Sequence, residues 1–420
     1  MVSTAGSPAG SPSRRSRLRE RADALARLFQ RPLTSYYLLL GATSLLVLLG
    51  LVMVLSASSV TSFESFGSSF YFFWRQLAWV ACGVPLMVVA ARLPVRAYRL
   101  LAYPLLLGSL LLLMLVLVPG IGVTVNGNRN WIAFGGPFRI QPSELAKLAL
   151  VLWGADLLAR KHKLLDQWKH MLVPLVPAGF IVIGLVIFGR DVGTSVILFA
   201  ILLSLLWIAG APLRLFAGMV SLIAVGSVYL IRAEQYRLER VRSFWDPFSD
   251  YYGSGWQAAQ SIFALSTGGW FGVGLGASRE KWGQLPEAHT DFIFAIIGEE
   301  LGLAGTLTVL TLFGALGYAG LRIAVRSRDP FVRLTAGGAT AWLLVQAMVN
   351  VGAVLGVLPV TGIPLPLVSY GGSALLPTMF ALGMLLSFAK REPGAQAALA
   401  ARGPGGVRRA LDWMTPGRGR

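Results

Sequence analysis

The sequence predicts an all-α polytopic membrane protein with about ten transmembrane helices and one large extracytoplasmic loop between spans 7 and 8. Three observations carry that prediction. Of 420 residues, 55% are hydrophobic and only 13% charged, more apolar surface than one soluble domain can bury. Apolar runs of about 17–22 residues, the length that crosses a hydrocarbon core about 30 Å thick, recur along most of the chain. Between them, Arg and Lys return in short clusters on alternate connections, as positive cytoplasmic loops require.

Taken in order, residues 1–35 are rich in Ser, Pro, Ala and Arg and read as a disordered basic cytoplasmic tail with no cleavable leader. Spans follow near 36–57, 76–92, 98–119, 143–159, 171–189, 192–210, 215–231, 292–322, 334–356 and 373–389. The 292–322 run is longer than a bilayer needs, so it tilts or extends beyond. Basic residues gather from Arg14 to Arg31, at Arg92, Arg96 and Arg99, from Arg160 to Lys163 with Lys169, at Arg214, from Arg322 to Arg333 and from Lys390 onward. All lie on one side if ten spans are drawn with both termini inside. Residues 36–391 are therefore one ten-span membrane domain, and 392–420 a second disordered basic tail. The opposite side receives 58–75, 120–142, 190–191, 232–291 and 357–372, and function is expected there. In 232–291 opposite charges nearly balance, and Phe244, Trp245, Phe248, Tyr251, Tyr252 and Trp256 suit a membrane interface better than disorder.

The net charge of +18 does not mark a nucleic-acid binder, because the 37 basic residues are dispersed between spans. Basic tails of this kind meet anionic membrane lipids. Cys82 is the only cysteine, and His162 and His170 are far in sequence from His289, so no protein cluster for zinc is expected. The run Gly268 to Gly276 lacks the Lys-Ser/Thr ending of a phosphate loop. The chain shows no internal repeat, which disfavours a transporter built on inverted halves.

Chemistry is expected first at Asp291, a carboxylate where a polar loop becomes an apolar helix, although an acid there also suits a helix cap. Glu299 and Glu300 follow at about 12–13.5 Å of helical rise, too far to form a tight carboxylate pair with Asp291. A retaining glycosidase needs two carboxyl groups about 5–5.5 Å apart, so one base fits an inverting transfer better. Glu299 and Glu300 need partners at depth and read as buried support for the helix. In Gln141-Pro-Ser-Glu-Leu-Ala-Lys147, Pro142 suits the first helical position, Glu144 the helix dipole, and Lys147 shares a face with Glu144. That pair is either a lock on the helix start or a charged floor for a polar substrate head, with Arg129 as an anion contact. Arg190 and Asp191 form a short charged hairpin, read most simply as an ion pair. Residues 362–373 carry Pro and Gly where a helix breaks and read as a re-entrant segment lining a polar cavity.

These residues closely resemble the SEDS family (shape, elongation, division and sporulation), in its FtsW division branch rather than its RodA branch. The resemblance covers about 36–390. It rests on NG-x-x-x-W at 126–131, QPSELAKL at 141–148, RDVGTS at 190–195, SFWDPF at 243–248, GSGWQAAQSIFALSTGGWFGVGLG at 253–276, LPEAHTDFIFAIIGEELG at 285–302 and TGIPLPLVSYGGS at 361–373. It implies a peptidoglycan glycosyltransferase that polymerises lipid II on the outer face of the bacterial cytoplasmic membrane at the division septum, with undecaprenyl pyrophosphate leaving. Asp291 matches the family's catalytic aspartate and takes the role of general base. Implied substrate contacts are Arg129, Trp131, Glu144, Lys147, Arg190, Arg242, Lys281, His289 and Ser369; implied structural support comes from Gln141, Asp191, Glu299 and Glu300. Many relatives place a basic residue directly before the loop tryptophan, where this chain has Asn130. The chemistry leaves room for a divalent cation, Mg or Mn, near Asp291. Implied partners are a class B penicillin-binding protein transpeptidase and other division-complex proteins. A lipid II flippase and a non-catalytic scaffold of the division complex are the rival classes.

Overall fold

The computed structural model describes residues 32–125, 128–133, 139–165, 167–233, 238, 244–253 and 255–401. Helices cover all ten predicted apolar runs: α1 (Thr34–Phe66), α2 (Tyr71–Ala90), α3 (Val95–Leu117), α4 (Pro142–Arg160), the short α5 (Trp168–Leu172) leading into α6 (Leu175–Phe188), α7 (Val192–Ile208), α8 (Leu213–Ala233), α10 (Ile293–Arg326), α11 (Pro330–Val354) and α12 (Gly372–Ala389). Two more, α9 (Trp256–Gly268) and α13 (Ala395–Ala401), lie in the long connection and the C-terminal tail. Among the described residues, seven stretches are long and apolar enough to cross a membrane, with α5 and α6 counted as one; α7 and α8 are apolar but shorter.

Composition explains which helices sit at the centre. α4 is buried from Pro142 to Leu158 on all sides but that of Leu145, so its Glu144, Lys147 and Asp156 never meet lipid. A charged side chain facing hydrocarbon is costly, and the three are tolerated because neighbouring helices enclose them. α3, by contrast, exposes Leu100, Leu107, Leu111 and Met114 along one face, as a lipid-facing helix does.

Local signals set the helix ends. α1 stops at Gly67 (φ 70), whose N–H closes onto the Phe63 carbonyl. Pro142 and Glu144 occupy the first turn of α4 as the sequence indicates. Asp191 caps α7 by accepting from the Thr194 N–H at 3.0 Å, and Asp329 caps α11 through the Phe331 N–H at 2.9 Å.

Three expectations need correction. The outer segment 58–75 is mostly helix, because α1 runs on through a Ser/Thr-rich stretch where Ser58 bonds back to the Val54 carbonyl. Within 120–142, Gly122–Val125 (β1), Asn128–Ala133 (β2) and Arg139–Ile140 (β3) form a three-stranded antiparallel sheet, a small exception to the all-α prediction. The tail assigned as disordered from 392 is ordered at its start: Glu392 is buried with its carboxylate 3.8 Å from Arg322 and 3.9 Å from Arg326, and α13 follows.

Hydrogen bonds gather the connections at two ends. At one, Arg99 bonds Asp329 at 2.9 Å, Arg160 bonds Asp156 at 2.6 Å, Ser387 donates to the Leu93 carbonyl, and Tyr98 donates to that of Ala90. This is the end with the basic clusters. At the other, Gln141 N–H bonds Ser373 Oγ at 2.7 Å, and Gln141 Nε2 bonds Asp191 at 2.7 Å.

The non-helical segment 355–371 enters the bundle at that second end, with Ile363, Leu365, Leu367, Val368 and Ser369 buried. Gly50 of α1 makes room for it: a Cβ there would stand 2.8 Å from the Leu367 carbonyl oxygen and the Val368 Cα. Both contacts are backbone and cannot rotate away. Gly50→Ala is therefore expected to lower the thermal midpoint of the purified protein by an overpacking cost of about 1–3 kcal/mol. Gly41→Ala, on the same helix with nothing within 4 Å, should leave it unchanged or slightly raised.

Candidate active site

Asp291 stands one residue before the N-cap of α10. The turn that delivers it is built by Glu287 (φ 57), whose carbonyl accepts from the N–H groups of Thr290 (3.1 Å) and Phe292 (3.2 Å). Phe292, not Asp291, occupies the N-cap position of α10, and it makes no side-chain cap bond. The carboxylate is half-buried beside Gly362 (φ 70): a Cβ on that glycine would lie 3.6 Å from Asp291 Oδ2.

The backbone of 289 and 290 is bonded to residues 370 and 369, and that of 291 to α11. Tyr370 N–H donates to the His289 carbonyl at 3.0 Å, Ser369 Oγ to that of Thr290 at 2.6 Å, and Asn350 Nδ2 to that of Asp291 at 2.7 Å. Asn350 Nδ2 also donates to the Ile363 carbonyl at 2.8 Å, and Ser369 Oγ accepts from Leu365 N–H at 2.8 Å. Gln76 of α2 holds the far side, donating to the Ser369 carbonyl and accepting from Gly371 N–H. Ser369 is thus a brace between the two segments.

An aromatic cluster surrounds His289, two residues before Asp291. The rings of Phe72 and His289 are 4.8 Å apart, Phe72 and Tyr370 5.2 Å, and the Arg75 guanidinium lies 5.6 Å from the Tyr71 ring centre and 6.0 Å from that of Tyr370. Burial pushes the His289 pKa below its ordinary value, against the opposing pull of the Glu287 carboxylate. His289 is therefore neutral near pH 7. Burial raises the Tyr370 hydroxyl pKa, and Arg75 partly offsets this.

The second predicted group lies beneath. Lys147 Nζ, buried, bonds Glu144 Oε1 at 2.7 Å and Gln346 Oε1 at 2.9 Å, over the Trp342 ring. Gln346 Nε2 then donates to the Pro364 carbonyl at 3.0 Å, tying the pair to the Asp291 segment. The Asp191 carboxylate accepts from Thr194 N–H, Gln141 (2.7 Å), Ser143 (3.3 Å) and Asn130 (3.3 Å), and Arg190, exposed at φ 65, forms the turn before it. β2 carries Arg129 and Trp131 beside this group, with Arg129 N–H bonded to the Gly189 carbonyl and Trp131 paired with Val123. Arg242 lies outside the described residues.

Glu299 and Glu300 form a separate cluster about two turns along α10. The loop after α9 supplies their partners: Ser278 Oγ at 2.5 Å and Arg279 N–H at 2.8 Å for Glu299, and Lys281 Nζ at 3.5 Å for Glu300, which also accepts from Ser56 of α1 at 2.7 Å. The same loop bonds the backbone where α10 breaks at Gly302 (φ 65, ψ −161), with Val273 N–H on the Glu299 carbonyl and Leu303 N–H on that of Gly269. Sequence reasoning missed Asn350, Gln346 and Gln76. The available signal was the spacing of Trp342, Gln346 and Asn350 by four, which puts three polar groups on one stripe of an apolar helix. Among the described residues, no three His, Cys, Asp or Glu side chains gather to hold a metal ion.

Such a bundle, with its polar groups collected at one end around a loop-borne carboxylate, defines a polytopic membrane protein with an interfacial site. The chain belongs to the cell cycle protein family of FtsW, RodA and SpoVE, whose model matches residues 36–393. It is 46% identical over 386 residues to the probable peptidoglycan glycosyltransferase FtsW of Mycobacterium tuberculosis, covering 92% of this chain and 74% of that one. It is 39% identical to the stage V sporulation protein E of Bacillus subtilis, over 84% and 96% of the two chains. Among solved structures it resembles a chain of a peptidoglycan synthase complex that coordinates polymerization and crosslinking, with TM-score 0.69 and 32% identity over 84% of this chain and 97% of that one. The rod shape determining protein RodA of Thermus thermophilus gives TM-score 0.62 and 29% identity at the same coverage.

Glu280 gives this region a pH signature. Burial, and then the nearby Glu299 carboxylate, raise its pKa from 4.5 to about 7. The folded state holds this proton more tightly than the unfolded one, so the contribution to stability is full below about pH 4.5 and is lost as pH rises to about 7. Glu280→Gln should remove that decline. The thermal midpoint of wild type minus that of the variant, followed from pH 4.5 to 8, is expected to fall and then level off; a flat difference contradicts the assignment.

Proposed function

We propose that this chain is a peptidoglycan glycosyltransferase that polymerises lipid II, with Asp291 as general base. The observation that carries the reading is the half-buried Asp291 carboxylate, fixed beside Gly362 by bonds to its own and neighbouring carbonyls, in a chain 46% identical to a protein named for that activity. The GlcNAc 4-hydroxyl of one lipid II gives its proton to Asp291 as its oxygen attacks the anomeric carbon of the other chain's MurNAc. The bond from that carbon to undecaprenyl pyrophosphate breaks, and the leaving group keeps the electron pair. One base and direct displacement give inversion.

Neutral His289 and the Phe72–Tyr370 wall suit the face of a sugar ring, and Ser369 acts through the Thr290 carbonyl it holds. The leaving pyrophosphate needs positive charge. Arg190, exposed, and Arg129, part-buried, can be reached from outside and suit it better than Lys147 and Lys281, which are buried. Glu144 and Lys147 then support the floor from below, and Gln141, Asp191, Glu299 and Glu300 brace the loops. No three-residue metal cluster lies among the described residues, so any Mg or Mn near Asp291 takes ligands beyond such a cluster, and no step runs through it.

The basic end faces the cytosol with both termini, and the Asp291 end faces outward, giving ten spans in the cytoplasmic membrane at the division septum. A class B penicillin-binding protein supplies crosslinking, alongside other division-complex proteins. The fixed partners of Glu299 and Glu300 favour a bracing role over a transport path for lipid II.

Purified lipid II is expected to be polymerised by wild type co-purified with its class B partner, and at least about 100-fold more slowly by Asp291→Ala, the usual range for loss of a general base. Equal polymer from both removes Asp291 as the base. Translocation of lipid II in vesicles, with polymer from neither, supports the flippase.

A further inference from the structure

Asn350 is buried in α11 at 2% exposure, and its one amide nitrogen spends both hydrogens on two carbonyls from opposite sides of the site, Asp291 at 2.7 Å and Ile363 at 2.8 Å. Its orientation is unambiguous, because a flipped amide would set its oxygen against both carbonyls. Its Oδ1 is buried with no hydrogen-bond partner. The side chain therefore leaves its own acceptor unsatisfied while both its donors serve the loops, which a residue kept only to pack α11 has no reason to do.

We propose that Asn350 is a positioning residue for Asp291: it clamps the catalytic loop to the 361–371 segment and thereby sets where the carboxylate stands relative to the acceptor hydroxyl. The other bonds between these segments, from Ser369 to Thr290 and from Tyr370 to His289, join them on the residues before Asp291. Asn350 holds the carbonyl of Asp291 itself. One turn earlier on the same stripe, Gln346 holds Pro364, so the 363–364 side of the clamp is anchored independently of Asn350. Losing the Asn350 donors frees the Asp291 residue more than the segment opposite it. A rigidly held first residue matters because a misplacement of about 1 Å at a reacting group costs on the order of 100-fold in rate.

The inference rests on the polymerase reading, and its test separates the two. Wild type, Asn350→Ala and the near-isosteric Asn350→Leu are co-purified with the class B partner, and lipid II polymerisation is measured as kcat and KM. Amide hydrogen exchange is followed across 289–292 and 363–371. Both variants are expected to lose at least about 10-fold in kcat with KM within about two-fold, and to exchange faster over 289–292 while α4 and α7 are unchanged. Two variants are used because Asn350→Leu keeps the volume that Asn350→Ala removes, so a loss shared by both is due to the donors and not to a cavity. If wild type polymerises and the variants match it in kcat, or lose KM and thermal midpoint instead, the clamp is overturned. If wild type does not polymerise, the function reading fails, and unchanged exchange over 289–292 then overturns the clamp as well, whereas faster exchange retains it.

Discussion

A backbone carbonyl or amide that leaves helical geometry inside an apolar bundle has no water to bond, so a partner must come from the protein. The chain makes this departure at 355–371 and again around Gly302, and both are closed by named donors. Asn350, Ser369, Tyr370 and Gln76 satisfy the first, and the loop after α9 satisfies the second. The position of Asp291 is a consequence of the first closure. Its neighbours are set by the hydrogen-bond requirements of non-helical backbone as much as by any demand of a substrate.

The same constraint explains why the polar residues of the site fall into tiers. On the two residues before Asp291, Ser369 bonds the Thr290 carbonyl and the Phe72 ring packs on both His289 and Tyr370. Below them the Glu144–Lys147 pair is linked to the site through Gln346, and Asp191 is engaged by four donors around the start of α7. Further along α10, Glu299 and Glu300 are tied to Ser278, Lys281 and Ser56. A buried ion pair contributes little net stability once desolvation is offset, but removing one partner leaves a charge stranded. Charged residues in the lower tiers therefore hold the site's geometry even where they do not face a substrate.

Much of this was legible in the sequence, for identifiable reasons. Each apolar run read from the sequence is helical over most of its length, and Pro142, Glu144 and Lys147 marked the start of α4 and its internal pair. Asp291 stood out because a carboxylate at a loop-to-helix junction is conspicuous. At the Arg190–Asp191 hairpin the charges were readable, whereas the bonds that the Asp191 carboxylate accepts from Gln141 and Ser143, 50 and 48 residues away in sequence, were not. The strands near Arg129 and the continuation of α1 past residue 57 were also hidden, since Ser and Thr serve helix, strand and loop alike. Asn350 and Gln346 were missed because each is one polar residue in an apolar helix, and only the 363–364 carbonyls they meet give them meaning.

The central claim is that Asp291 takes the proton of the acceptor sugar. It is tested most directly by an experimental structure of Asp291→Asn with two lipid II molecules bound beside the class B partner. The acceptor GlcNAc 4-hydroxyl is predicted within about 2.6–3.2 Å of the residue 291 side chain, with the donor's anomeric carbon on its far side. An acceptor hydroxyl seated instead at Glu299 or Glu300, or bonded to another side chain with residue 291 out of reach, contradicts the account.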